Sequence, residues 1–250
     1  MGYSLRVMPK IFSYGAVGML CAVLAGCGPD AVSADGDGAA KRPDDGPLVL
    51  AVMPDLPPYA YEDKASGEIR GIDIDIVRAA AARLGRPLEL RRVLFAEMVP
   101  SVKDGRADFA AGGLTITEGR RRNVDFSIPY AVEGSAFLYR ADEKMPTMIS
   151  LEAMRVAVVE GMTQDFYLTR HGIDPIRYTY IHDAVKDVLA RKIDVLAFDR
   201  PALMTFAKES GGKLAVSPLE TREHYGIAVS KERPDCLEAV NAVIRERQAK

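Results

Sequence analysis

The chain has 250 residues, 48% hydrophobic and 27% charged, with a formal net charge of −2 at pH 7. This balance fits an ordinary globular protein of one or two domains and excludes the electrostatic footprint of a nucleic-acid binder. The short run Arg120-Arg121-Arg122 is too local to restore one.

The N-terminus reads as a targeting segment. Arg6 and Lys10 form a positive start, and the mostly apolar stretch Ile11 to Leu24 is short for a membrane span. Leu24-Ala25-Gly26-Cys27 resembles a bacterial lipoprotein cleavage box, which implies removal of residues 1–26 and lipid on the Cys27 thiol. With Cys21 lost and Cys27 lipidated, Cys236 stands alone and no internal disulfide is expected. It reads as a small packed residue, since no neighbouring histidine activates it. Residues 27–46, rich in Gly, Asp, Ala and Pro with no apolar period, read as a flexible tether.

From Pro47 the pattern becomes regular. "LVLAVM" predicts a buried strand, "DLPPYAYEDKASGEIRG" a loop, and "IDIDIVRAAAARLG" a helix with Ile76, Val77, Ala80, Ala81 and Leu84 on one face. "LELRRV" predicts a strand, "AEMVPSVKDG" a short helix and "ADFAAGG" a strand. A second series starts near Leu138: strand "RVAVVEG", helix "TQDFYLTRHG", strand "RYTYI", helix "HDAVKDVLARK", strand "IDVLAFD" and helix "PALMTFAKESGG". Strand-like "KLAVSP" and "YGIAVS" follow, then a closing helix, "DCLEAVNAVIRERQAK". Strands alternating with helices predict an α/β fold, and two such series predict two lobes.

These pieces resemble the bacterial extracellular solute-binding proteins, family 3, the venus-flytrap receptors of polar amino acid ABC importers. The resemblance runs from about Leu48 to Val243, through "FAEMVPSVKDGRADFAAGGLTITEGRRRNVDFSIPY", "VVEGMTQ" and "DVLAFD" in family order. It implies a two-lobed fold with two crossing strands, placed near Tyr130–Glu133 and His224–Gly226. Lobe 1 would then comprise residues 47–131 and 226–250, and lobe 2 residues 132–225.

The resemblance also implies a site for a small zwitterion. Arg120 pairs with the ligand's α-carboxylate, helped by the Thr115 hydroxyl and the Thr163 N–H from the opposite lobe. The backbone around Gly113 accepts part of the ammonium, whose charge is met by Asp199. The chemistry is sound, because a zwitterion closed away from water needs its hydration replaced group by group, and a bidentate Arg–carboxylate pair fixes orientation. Composition alone would put the arginine run on solvated surface, and would make Asp199 a helix N-cap.

Phe95 matches an aromatic clamp on the ligand side chain. The second clamp, usually aromatic, falls on Leu56, and a commonly acidic position falls on Met53; Tyr59 or Tyr61 could substitute in part. Family members usually continue past the last helix, whereas this chain stops at Lys250. His171, His182 and His224 lack ligand spacing, so no metal is expected; no cofactor fingerprint and no catalytic residue are identified.

The implied protein is a lipid-anchored, periplasmic or extracytoplasmic monomer that delivers a small amino acid to an ABC permease. It is not an enzyme. Two alternatives share the scaffold: a cyclohexadienyl or arogenate dehydratase, for which Glu160 is the nearest general acid, and a sensory binding module.

Overall fold

The computed structural model describes residues 46–249. The expected leader, Cys27 as the expected lipidation site and nearly all of the expected tether lie outside them. Strand β1 (Leu48–Val52) is buried along its whole length, and its alternate side chains enter two different cores. Val49 and Ala51 face one, Leu48, Leu50 and Val52 the other. This is the signature of a central parallel strand covered on both faces.

The stretch expected as a loop instead contains three short strands: β2 (Asp55–Leu56), β3 (Ala60–Glu62) and β4 (Ile69–Arg70). They pair antiparallel in chain order. Helix α1 (Ile72–Arg83) follows, burying Ile74, Ile76, Val77, Ala80 and Ala81, while Leu84 is only half-buried past its end. Next come β5 (Leu88–Arg92), α2 (Phe95–Lys103), β6 (Phe109–Ala110), the single turn α3 (Glu118–Arg121) and β7 (Asp125–Phe126). Strand β6 is shorter than "ADFAAGG" suggests. The chain leaves the sheet at Gly112, whose φ of 146° is closed to most side chains.

Strand β8 (Ala131–Glu133) leads out of this sheet. The second series runs β9 (Ser135–Arg140), β10 (Val156–Val159), α4 (Thr163–Arg170), β11 (Ile176–Tyr178), α5 (Ile181–Leu189), β12 (Val195–Asp199), α6 (Arg200–Glu209) and β13 (Leu214–Val216). Helix α5 buries Ile181, Ala184, Val185 and Val188, the i, i+3, i+4, i+7 stripe of a helix laid on a sheet. The chain returns through β14 (Glu223–Tyr225) and β15 (Ala228–Val229), then ends in α7 (Pro234–Gln248). Cys236 is fully buried on α7, and burial pushes its thiol up to about 12.

Two five-stranded sheets result, ordered β5-β1-β6-β15-β7 and β11-β10-β12-β9-β13. β15 adds antiparallel to β6 and β7, so the first sheet draws on both ends of the folded region. Helices α1 and α7 pack together over it. Between the sheets in the chain, β8 and β14 form their own antiparallel pair, with Glu223 opposite Glu133 and Tyr225 opposite Ala131. The core shared by Val49 and Met98 continues through Tyr225 to Phe198 and Leu203, so the lobes are also joined by apolar packing.

Gly134, where β8 passes into β9, lies so close to the segment leading into β14 that a Cβ would overlap the Thr221 carbonyl oxygen. A rigid backbone neighbour leaves a side chain no room, and overpacking of this kind costs about 1–3 kcal/mol. Gly134→Ala is therefore expected to lower the unfolding free energy, measured by urea titration, by that amount. An unchanged value would mean that the crossing strands are not tightly apposed.

Candidate functional site

The Gly112-Gly113 turn is shaped by two neighbours. Both backbone N–H groups donate to Asp73 Oδ2 at 2.8 Å, and a Cβ on Gly113 would overlap the Leu56 side chain. Gly113 also has φ 63°, in the left-handed region that glycine favours. Asp73 is fully buried on α1, and that desolvation pushes its carboxyl up to about 6 despite the two N–H donors. The Gly113 N–H is thus already committed within the chain.

Thr115 bridges to Tyr225 on the return strand. The Thr117 hydroxyl then accepts from the Arg120 N–H at 3.2 Å and caps the turn α3. That cap sends the three arginines different ways. Arg121 lies over the Phe126 ring at 5.8 Å, while Arg122 is exposed. The half-buried Arg120 donates from Nη1 to the Thr115 carbonyl at 2.8 Å and lies over the Phe95 ring at 5.2 Å. Arg120 has no carboxylate within ion-pair distance among the described residues. Desolvation pushes its pKa down to about 10, opposed by the charges of Asp199 and Glu223. An electron-rich ring face beneath a guanidinium holds its plane without using its donors.

From the other lobe, β10 ends at Val159, and Gly161 (φ 76°) turns the chain into α4. Thr163 opens that helix, so its N–H belongs to the first-turn donors that lack an intrahelical acceptor. Gln164, one residue on, donates to the Ser135 hydroxyl at 2.8 Å and to Asp199 Oδ1 at 3.2 Å. Asp199 ends β12 at the N-cap position of α6, yet its side chain makes no capping bond. It accepts from the Tyr225 hydroxyl at 2.7 Å, while its second oxygen is buried with no partner among the described residues. Desolvation, then the nearby Glu223 charge, push its pKa up to about 7, against lowering by Tyr225, Gln164 and Arg120.

A cavity of about 1010 Å³ lies between these elements. Phe95, Leu114 and Arg120 line it from lobe 1, Gly161 and Thr163 from lobe 2, and Glu223 from the return strand. Thr115, Gly113, Tyr59 and Asp199 are not among its lining residues. Tyr59 is buried, donates its hydroxyl to Glu133 at 2.7 Å and meets the Tyr225 ring edge-on at 5.2 Å. Leu56 and Met53 are buried too. Glu160 is exposed at the end of β10 and does not line the cavity, which leaves the dehydratase alternative without its nominated acid.

Sequence reasoning missed Glu223. Its Oε2 accepts from the Thr115 hydroxyl at 2.7 Å and the Thr163 hydroxyl at 2.9 Å. Its Oε1 accepts from Thr221 at 2.8 Å and Ser135 at 2.9 Å. A period of two along "TREHY" would have put Thr221, Glu223 and Tyr225 on one face of the strand.

Such a two-lobed fold, with a cleft at the crossing strands, defines the solute-binding receptors. The model of the bacterial extracellular solute-binding proteins, family 3, matches residues 48–250, and the chain belongs to that family. It is 26% identical over 208 residues to the L-cystine-binding protein TcyJ of Escherichia coli (strain K12), covering 81% of this chain and 78% of that protein. It is 25% identical over 255 residues to the ABC transporter glutamine-binding protein GlnH of Bacillus subtilis (strain 168), covering 97% and 93%. Among solved structures, the arginine-bound form of truncated ArgBP from T. maritima superposes with a TM-score of 0.76 at 33% identity, covering 81% and 96%.

The raised pKa of Asp199 has a definite consequence for stability. The folded state holds this proton up to about pH 7, whereas an unfolded aspartate releases it near pH 3.8. The native state thus binds more protons across that window, and stability falls as pH rises through it. Relative to Asp199→Asn, the wild type should lose up to about 1.4 kcal/mol per pH unit between pH 4 and 7, and no more above that. Parallel urea titrations would measure it; a constant difference would show that the buried acid is ionised throughout.

Proposed function

We propose that this chain is a lipid-anchored receptor that captures a small amino acid or related zwitterion between its lobes and delivers it to an ABC importer. The observation that carries this reading is Arg120. Its guanidinium lines a cavity walled by both lobes and has no carboxylate of its own within ion-pair distance among the described residues. A ligand α-carboxylate supplies the missing partner, bidentate along the plane that Phe95 holds. The open N–H groups at the start of α4 reach it from the opposite wall, where the helix dipole favours negative charge. Binding both walls at once favours the closed arrangement by differential contact.

The ammonium is met by Asp199, after its carboxyl turns from Gln164 and Tyr225 toward the cavity. A cation beside that acid favours its ionised form, so uptake near pH 7 releases a proton. The three relatives carry the names of different amino acids, cystine, glutamine and arginine, which supports an amino acid as the common ligand class. The protein acts as a monomer without catalytic chemistry, and lipid on Cys27 with the 27–46 tether keeps it at the membrane beside the permease.

Calorimetry against the common amino acids tests the reading. At least one should bind well below millimolar, and Arg120→Ala should weaken it by several kcal/mol while the circular dichroism stays unchanged, as truncating one member of a buried charge pair does. Equal affinity in the variant would remove Arg120 from the site. For the anchor, Cys27→Ser should abolish the lipid-sized mass increment of the mature chain; an increment that persists would place the lipid elsewhere.

A further inference from the structure

Glu223 is placed like a ligand. Its carboxylate is held by four hydroxyl donors: Thr115 on lobe 1, Thr163 and Ser135 on lobe 2, and Thr221 beside it on the returning segment. A carboxylate has about four acceptor positions, so this one is filled from within the chain. Thr115 and Thr163 share one oxygen, Oε2, although they lie on opposite lobes and 48 residues apart.

We propose that Glu223 is a built-in clasp that sets ligand affinity: its carboxylate draws the two lobes together through Thr115 and Thr163, and an incoming ligand carboxylate displaces it from those hydroxyls. The second half rests on the amino-acid reading above. Each threonine hydroxyl has a single proton to donate, so it serves either Glu223 or a ligand carboxylate. The clasp bonds are internal to the chain, and their closing force therefore needs no solute. Glu223 and Thr163 both line the cavity and Thr115 follows the lining Leu114, so the exchange is placed at the cavity wall. It is carried on the crossing strand β14, between the two sheets.

The linkage has a definite sign. A bond that stabilises the closed form but is broken by the ligand taxes binding by the fraction of protein it holds closed. Removing it should loosen the protein and tighten its grip on the ligand. Glu223→Gln keeps the shape, gives up the charge and leaves only one oxygen to accept. In the full chain, small-angle scattering should show a larger radius of gyration for this variant than for wild type. Stopped-flow binding of L-arginine, L-glutamine and L-cystine should show, for whichever binds, a faster on-rate and an affinity raised about tenfold.

Unchanged scattering, or weaker binding with an unchanged on-rate, would overturn the clasp. If Glu223→Gln does not fold, Thr163→Val removes one cross-lobe bond and must still expand the protein; no expansion would also overturn it. Expansion in a variant while neither it nor wild type binds any amino acid would uphold the clasp's closing role and overturn the amino-acid reading instead.

Discussion

Two sheets joined by a pair of three-residue strands have one mechanical weak point, and the chemistry of the molecule is gathered there. β8 and β14 are only three residues long, yet their side chains reach both lobes. Glu223 holds hydroxyls from each side, Tyr225 reaches Asp199, and Glu133 accepts from Tyr59. These few groups tie the two lobes to each other and to the strands between them.

Magnitudes separate the ties that matter from those that do not. Hydrogen bonds to a charged, partly buried group are worth roughly 1.5–3 kcal/mol each, so the two threonine bonds to Glu223 weigh heavily. The ion pair between Lys64 on lobe 1 and Glu209 on lobe 2 is largely exposed, and such pairs are worth roughly 0.2–1 kcal/mol. Apolar packing through Tyr225 toward Phe198 supplies a further, non-directional attraction. The directional part of the contact between the lobes is thus concentrated on hydroxyls and carboxylates at and behind the cavity wall.

The sequence made the layered α/β architecture legible wherever periodicity is strong. The "LVLAV" run and the four-residue stripe of α5 each carry their burial pattern on their face. The sheet β2-β3-β4 was not legible, because strands of two and three residues in turn-rich sequence have no period to detect. Composition puts the arginine run on solvated surface, and the family resemblance singles out Arg120; the Thr117 cap that orients it, three residues earlier, becomes visible only in the fold. Asp199 and Glu223 are different: the facing of one is decided by Tyr225, 26 residues on, and the bonds of the other span up to 108 residues. Such contacts exist only once the fold does.

An internal carboxylate competing for the hydroxyls of a carboxylate site gives a receptor a way to remain compact without forfeiting reversibility. In the proposed clasp, a ligand replaces the closing contacts rather than adding to them, an arrangement that would moderate affinity and speed release. The proposed function turns on pairing of the Arg120 guanidinium with a solute held between the lobes. A crystal structure of the protein with a bound amino acid tests that most directly. The solute's α-carboxylate is expected within hydrogen-bond distance of both Arg120 and the first turn of α4. A solute seated away from Arg120, or bound to one lobe alone, would contradict it.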